Sequence, residues 1–113
     1  MQIKCLKPLI EVTLEFKLSN YKKVPTTFGC YVISNFNYEI MYIGKASNIQ
    51  LRFFNHLETF EKTQLTEIGA AYWFSFKPCK NEFEISRLER GWLNDFILKE
   101  GKKPIFNKIN ASI

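Results

Sequence analysis

The sequence predicts an α+β fold, a small and mainly antiparallel β-sheet flanked by helices. Three observations predict it. Residues 28–34 and 38–44 are rich in Tyr, Val and Ile and are separated by turn residues, the pattern of a β-hairpin. Two segments with helical periodicity follow, each opened by a capping residue. The implied order is strand, hairpin, helix, strand, helix, which places helices against one short sheet.

The first strand is expected over residues 9–18, where Ile10, Val12, Leu14, Phe16 and Leu18 alternate with polar partners. The polar stretch "SNYKKVPTT" then connects to the hairpin, with Pro25 setting its approach. Ser47 opens the first helix, because Ser47 and Gln50 have the spacing of a capping box. Ile49, Phe53 and Leu57 share one face of that helix, which fades near Glu58. "EIGAAYWFSFKP" reads as a further strand ended by Pro78. A second helix begins at Asn81, a good cap, with Glu82 and Glu84 where the helix dipole favours acids. Its apolar stripe is Ile85, Leu88, Trp92, Leu93, Phe96 and Ile97, Gly101 is placed to end it, and Pro104 prevents its resumption.

Composition bounds the function classes. The chain has 113 residues, 46% apolar and 16% aromatic, enough for one packed domain and far from a disordered composition. No apolar run approaches the ~20 residues that span a bilayer. The N-terminus "MQIKCLKPLIEVTLEF" is broken by charges or Pro throughout, unlike a signal peptide. A soluble, cytoplasmic protein with no membrane association is expected. Cys5, Cys30 and Cys79 form neither a disulfide framework nor a zinc spacing and read as buried thiols. Sixteen Lys and Arg against eleven Asp and Glu give +5, spread from Lys4 to Lys108, which suits a polyanionic partner bound on a folded basic face.

Helical geometry singles out Glu89, near the middle of the second helix's apolar stripe. A carboxylate there is costly unless compensated, either by an internal salt bridge or by serving as a ligand to a hard ion such as Mg²⁺. Arg52 and His56, four residues apart, neighbour each other at the margin of the first helix's stripe. Such a pair is either packing or a phosphate clamp beside a titratable imidazole. Tyr31 and Tyr42 come from adjacent hairpin strands, as core rings or as phenols whose pKa must be lowered to act. Lys45, Arg52 and a metal on Glu89 are the candidates for lowering it. Tyr72, Trp73 and Phe74 are either core or a stacking surface for bases.

The order of these residues resembles the GIY-YIG nuclease family. Gly29-Cys30-Tyr31 stands for its first motif, Tyr42-Ile43-Gly44 for its second, and "YIGKASNIQLRFFNH" resembles its strand-to-helix passage. "LERGWLNDFILKEGKKPIFN" resembles its closing segment, with Glu89, Pro104 and Asn107. Cys30 departs from the family's Ile at an apolar strand position, and the Glu89–Asn107 gap is longer than in many members, which leaves Glu84 as the fallback carboxylate.

The resemblance implies a GIY-YIG endonuclease-like domain over residues 25–110 and a metal-dependent DNA endonuclease. In it Glu89 holds Mg²⁺ (or Mn²⁺), Arg52 binds the scissile phosphate and Tyr31 receives the proton of the attacking water. Tyr42 positions the water or phosphate, His56 relays the proton and Lys45 steadies the phosphate or the phenolate. Asn107, counted with Lys45 and Arg52 as substrate-binding, orients the site by hydrogen bonds. A DNA repair, restriction or recombination role and a DNA partner follow. The alternative is a non-catalytic DNA- or protein-binding module on the same fold. Residues 1–24 lie outside the resemblance and are expected to add a strand at the sheet edge or to form part of a homodimer contact.

Overall fold

The computed structural model describes residues 1–107, so the domain end expected at residue 110 lies outside the described residues. Four strands form one antiparallel sheet: β1 (Val12–Glu15), β2 (Gly29–Ser34), β3 (Ile40–Ala46) and β4 (Trp73–Pro78). Their spatial order is β1-β4-β2-β3, which leaves β1 and β3 at the edges. Three helices follow the hairpin: α1 (Ile49–Leu57), α2 (Phe60–Thr63) and α3 (Glu82–Glu100). Among the described residues no helix is long and apolar enough to cross a membrane.

The hairpin register pairs Tyr31 with Gly44 and Ile33 with Tyr42, so both tyrosines lie diagonally on one face. Its turn is held by Asn35, whose Oδ1 accepts the amides of Asn37 and Glu39, each at 2.9 Å. Strand alternation sends Tyr31 and Ile33 to one face, where they pack with Phe53 of α1 and Phe74 of β4. Cys30 and Val32 go to the other, where they meet Ile85, Trp92 and Phe96 of α3. Ile3, Leu6 and Ile10 complete this second core, so the N-terminal segment folds over the α3 face.

Several expectations need correction. The first helix is capped by Asn48, whose Oδ1 accepts the Leu51 amide at 3.1 Å, and not by Ser47. Both residues can cap, and the chain selects the one next to the first buried turn residue, Ile49. The first strand spans only Val12–Glu15. Ile10 packs into the α3-side core while Phe16 packs into the α1-side core, so the alternating set does not share one face. A 3-10 segment from Leu18 to Lys23 then turns the chain away. The strand expected over residues 67–78 begins at Trp73, because Thr66 and Gly69 close a tight turn upstream with Gly69 at φ 102. Cys5 is exposed and Cys79 only partly buried, so Cys30 alone is a buried thiol. The second helix starts on Asn81, which accepts the Glu84 amide at 2.9 Å, and ends on Gly101 at φ 77.

Two C-terminal residues cover the outer edge of β3. Phe106 donates its amide to the Met41 carbonyl at 2.9 Å. Asn107 accepts the Ile43 amide at 2.8 Å and returns its own Nδ2 to the Ile43 carbonyl at 2.9 Å. Together they satisfy edge groups that would otherwise invite pairing with another chain.

Candidate active site

The two motif glycines make room for the site. A Cβ on Gly29 would fall 2.2 Å from the Ile49 Cδ1 and 2.7 Å from the Lys77 carbonyl, so α1 and β4 can approach only because it is absent. A Cβ on Gly44 would fall 2.6 Å from both the Tyr31 Cζ and its hydroxyl, and 2.7 Å from the Tyr42 ring. Gly44 is thus the niche into which the Tyr31 phenol fits, directly across the hairpin.

Three rings meet in that niche. The centroids of Tyr31 and Tyr42 lie 5.9 Å apart, and the His56 ring is 5.4 Å from the first and 5.2 Å from the second. Tyr31 is fully buried, with its hydroxyl 2.6 Å from His56 Nε2. Tyr42 is only partly buried and carries the Lys62 ammonium 4.9 Å above its ring. Arg52, one helical turn before His56, acts electrostatically on both phenols and on Glu89.

Burial controls how these groups titrate. It pulls His56 down to about 3, with the Lys62 and Arg52 cations adding to the effect, so the imidazole is neutral at physiological pH. It pushes Tyr31 well above the usual phenol range, reinforced by Tyr42 and opposed by Arg52. It also raises Tyr42, but a hydrogen bond from Tyr31 and the Arg52 charge pull that phenol back. Of the two tyrosines, Tyr42 is therefore the one whose phenolate is better supported and less enclosed.

Glu89 approaches from the other side of the sheet edge. Burial raises its carboxyl above the ordinary value, while Lys45, Arg52 and Arg90 counter the rise. Among the described residues it makes no ion pair, so it is not held by a structural arginine. Lys45 points to the α3 face and donates to Ser86 Oγ at 3.2 Å. The site thus wraps around β3, with Tyr42 on its α1 face and Lys45 and Glu89 on its α3 face. Tyr31, Tyr42 and His56 are in ring contact, and Lys45 and Arg52 act electrostatically on Glu89.

Other residues lie elsewhere. Glu84, the fallback carboxylate, is exposed and accepts the Lys80 amide at 2.7 Å as part of the helix start. Asn107 spends its amide on Ile43 and so fixes β3 from behind. Cys30 is fully buried and its thiol donates to the Ile85 carbonyl at 3.2 Å, so the departure from Ile leaves the phenols undisturbed. Phe74 is core, whereas Tyr72 and Trp73 lie at the surface, where they hydrogen-bond to Glu15 and the Phe36 carbonyl. Lys62 was not legible: it sits in a four-residue helix with no periodic signal. Among the described residues no three His, Cys, Asp or Glu side chains cluster.

The sequence model of the GIY-YIG catalytic domain matches residues 27–100. The chain belongs to the GIY-YIG family. Its fold is that of the GIY-YIG N-terminal endonuclease domain of UvrC from Thermotoga maritima, whose crystal structure is of a point mutant bound to its catalytic divalent cation. That match has 26% identity and a TM-score of 0.52, and covers 80% of this chain and 97% of the other. Among curated protein sequences none matches. The GIY-YIG match begins at residue 27, after β1 and the N-terminal segment that packs with α3.

Proposed function

We propose that this GIY-YIG chain is a DNA endonuclease that hydrolyses phosphodiester bonds with one divalent cation, Mg²⁺ or Mn²⁺. The observation that carries this reading is the electrostatic coupling of Arg52 to both phenols and to a partly buried Glu89, which makes no ion pair among the described residues. A lone, partly buried carboxylate suits a hard ion that keeps most of its waters, so Glu89 is the residue that would hold it. Such an ion supplies Lewis-acid stabilisation of charge on the phosphate and leaving oxygen.

The side chains divide the remaining work. Arg52 clamps the scissile phosphate and offsets its developing charge. Lys45 steadies the same phosphate. Tyr31, the proton acceptor that the resemblance implies, is fully buried, and the partly buried Tyr42 takes that position. In the tautomer that carries its proton on Nε2, neutral His56 donates to the Tyr31 oxygen, which frees the Tyr31 hydroxyl to donate to Tyr42. This chain of donors stabilises the Tyr42 phenolate, which takes the proton of the attacking water and becomes the neutral phenol. His56, expected as a relay, is a poor proton store because burial and two cations oppose its imidazolium. Asn107 holds Ile43, and with it the spacing between Tyr42 and Gly44.

Purified protein with Mg²⁺ and Mn²⁺ is to be tested on plasmid, branched and single-stranded DNA. Cleavage that disappears in Arg52→Ala and Glu89→Ala supports the reading. DNA bound but left intact under both metals would replace it with a non-catalytic binding module.

A further inference from the structure

A second basic feature lies on the flank of α3 away from Ser86 and Lys45. A groove of about 410 Å³ is lined by Lys7, Lys77 and Arg87, with Glu84 and Gly91 on its helical wall. Three cations face one carboxylate, and that carboxylate is engaged with the Lys80 amide. Arg87 is further arranged over the Phe83 ring at 5.7 Å. The three cations outnumber the one carboxylate, so the lining of the groove is net positive.

Gly91 adds an independent observation. It is exposed in the interior of a 19-residue helix, and a Cβ there would meet nothing within 4 Å. Glycine weakens a helix interior, and among the described residues no close approach requires it here. Its lack of a side chain leaves the groove floor open to something from outside.

The groove shares its sheet face with Lys45, across α3 from it. Lys77 pairs with Cys30, and Cys30 pairs with Lys45, so the two lysines stand two strands apart. At ~4.8 Å per strand that separates their backbones by roughly 10 Å, about three nucleotide steps at ~3.4 Å each. We propose that this groove binds the phosphate backbone of DNA on one side of the scissile bond, with Lys7 reaching it from outside the matched catalytic domain. For the identity of its ligand the proposal rests on the endonuclease reading.

Binding of a fluorescent DNA duplex to the full chain in EDTA tests it, with Lys7→Glu, Arg87→Glu and Gly91→Gln. Each charge reversal should weaken binding on the order of tenfold at low salt and reduce the slope of log K against log salt by about 1. Lys7→Arg and Arg87→Lys should retain most of the affinity. Gly91→Gln should weaken binding while raising the melting temperature, an opposition that a purely structural glycine would not produce. Wild-type affinity and slope in all three variants, or no duplex binding by the wild-type chain, would overturn the groove. Groove-dependent binding without cleavage would retain it and sink the endonuclease reading, and cleavage with unaffected variants would do the reverse.

Discussion

Tyr31 and His56, twenty-five residues apart in the chain, meet with the phenol oxygen 2.6 Å from the imidazole Nε2 in a fully enclosed niche. The niche exists because Gly44 has no side chain, and the contact joins the hairpin to α1. Each partner leaves the other satisfied, and burial keeps both uncharged.

Tyr31→Phe keeps the ring and removes only the hydroxyl. His56 Nε2 is then buried without its partner, which should cost about 1–3 kcal/mol of stability. Tyr42 also loses the donor that supports its phenolate, so cleavage should fall on the order of 10²-fold. Urea denaturation and single-turnover cleavage measure the two effects. Wild-type cleavage by this variant would refute the donor chain from His56 through Tyr31 to Tyr42.

His56 makes stability depend on pH. The unfolded imidazole titrates near 6.5 and the folded one near 3, so between these values the unfolded chain binds the additional proton. Stability therefore rises with pH across that window and is lost as pH falls, by up to about 1.4 kcal/mol per unit. His56→Gln should flatten this dependence. Urea midpoints compared at pH 6.5 and 4.5 report it, and parallel losses in both proteins would contradict the assignment.

How far the sequence foretells this arrangement depends on how local each signal is. Asn81 and Gly101 mark the ends of α3 through backbone rules that act within four residues, and both hold. The hairpin and its two tyrosines are legible for the same reason. The cap of α1 misses by one residue, because Ser47 and Asn48 compete equally until Ile49 is buried. The length of β1 fails because Ile10 and Phe16 serve different cores, which alternation cannot reveal. Glu89 is legible as an anomaly, a carboxylate amid apolar neighbours, but the cations around it come from β3, α1 and α3. That Tyr31 is turned inward, that Lys62 covers Tyr42 and that Asn107 braces Ile43 are consequences of packing between distant segments.

Two glycines should respond oppositely to alanine. In Gly44→Ala the new methyl falls 2.6 Å from the Tyr31 ring, which core packing holds in place. Overpacking of this kind costs about 1–3 kcal/mol and should displace the phenols, with loss of cleavage. Gly91→Ala meets nothing within 4 Å and removes a helix-interior glycine, so it should stabilise by about 0.5–1 kcal/mol. Thermal melts of the two variants decide this, and similar shifts in both would show that the Gly44 niche is not closed.

Cleavage should climb with pH beyond neutrality. Burial raises Tyr42 above the ordinary phenol value even with Tyr31 and Arg52 opposing it, so its ionised fraction grows through the alkaline range. His56 contributes no step near pH 6.5, because it is already neutral there. Log rate against pH should therefore show a slope near 1 above neutrality, and Tyr42→Phe should abolish cleavage. A plateau reached at pH 7 would assign the proton to another group.

Glu89→Gln should separate stability from activity. The folded carboxyl titrates above its ordinary value because burial outweighs Lys45, Arg52 and Arg90. Near its unfolded value the folded state binds more protons, and the stability this brings is lost as pH rises through the folded value. At neutral pH the ionised carboxylate is thus a net cost to the fold, and a neutral amide of the same shape removes it. In EDTA the variant should melt a few degrees above the wild-type chain, while cleavage is lost. Added Mg²⁺ or Mn²⁺ should raise the melting temperature of the wild-type chain and leave Glu89→Gln unmoved, because only a bound ion stabilises the fold by mass action. An equal metal-dependent shift in both proteins would place the ion elsewhere than Glu89.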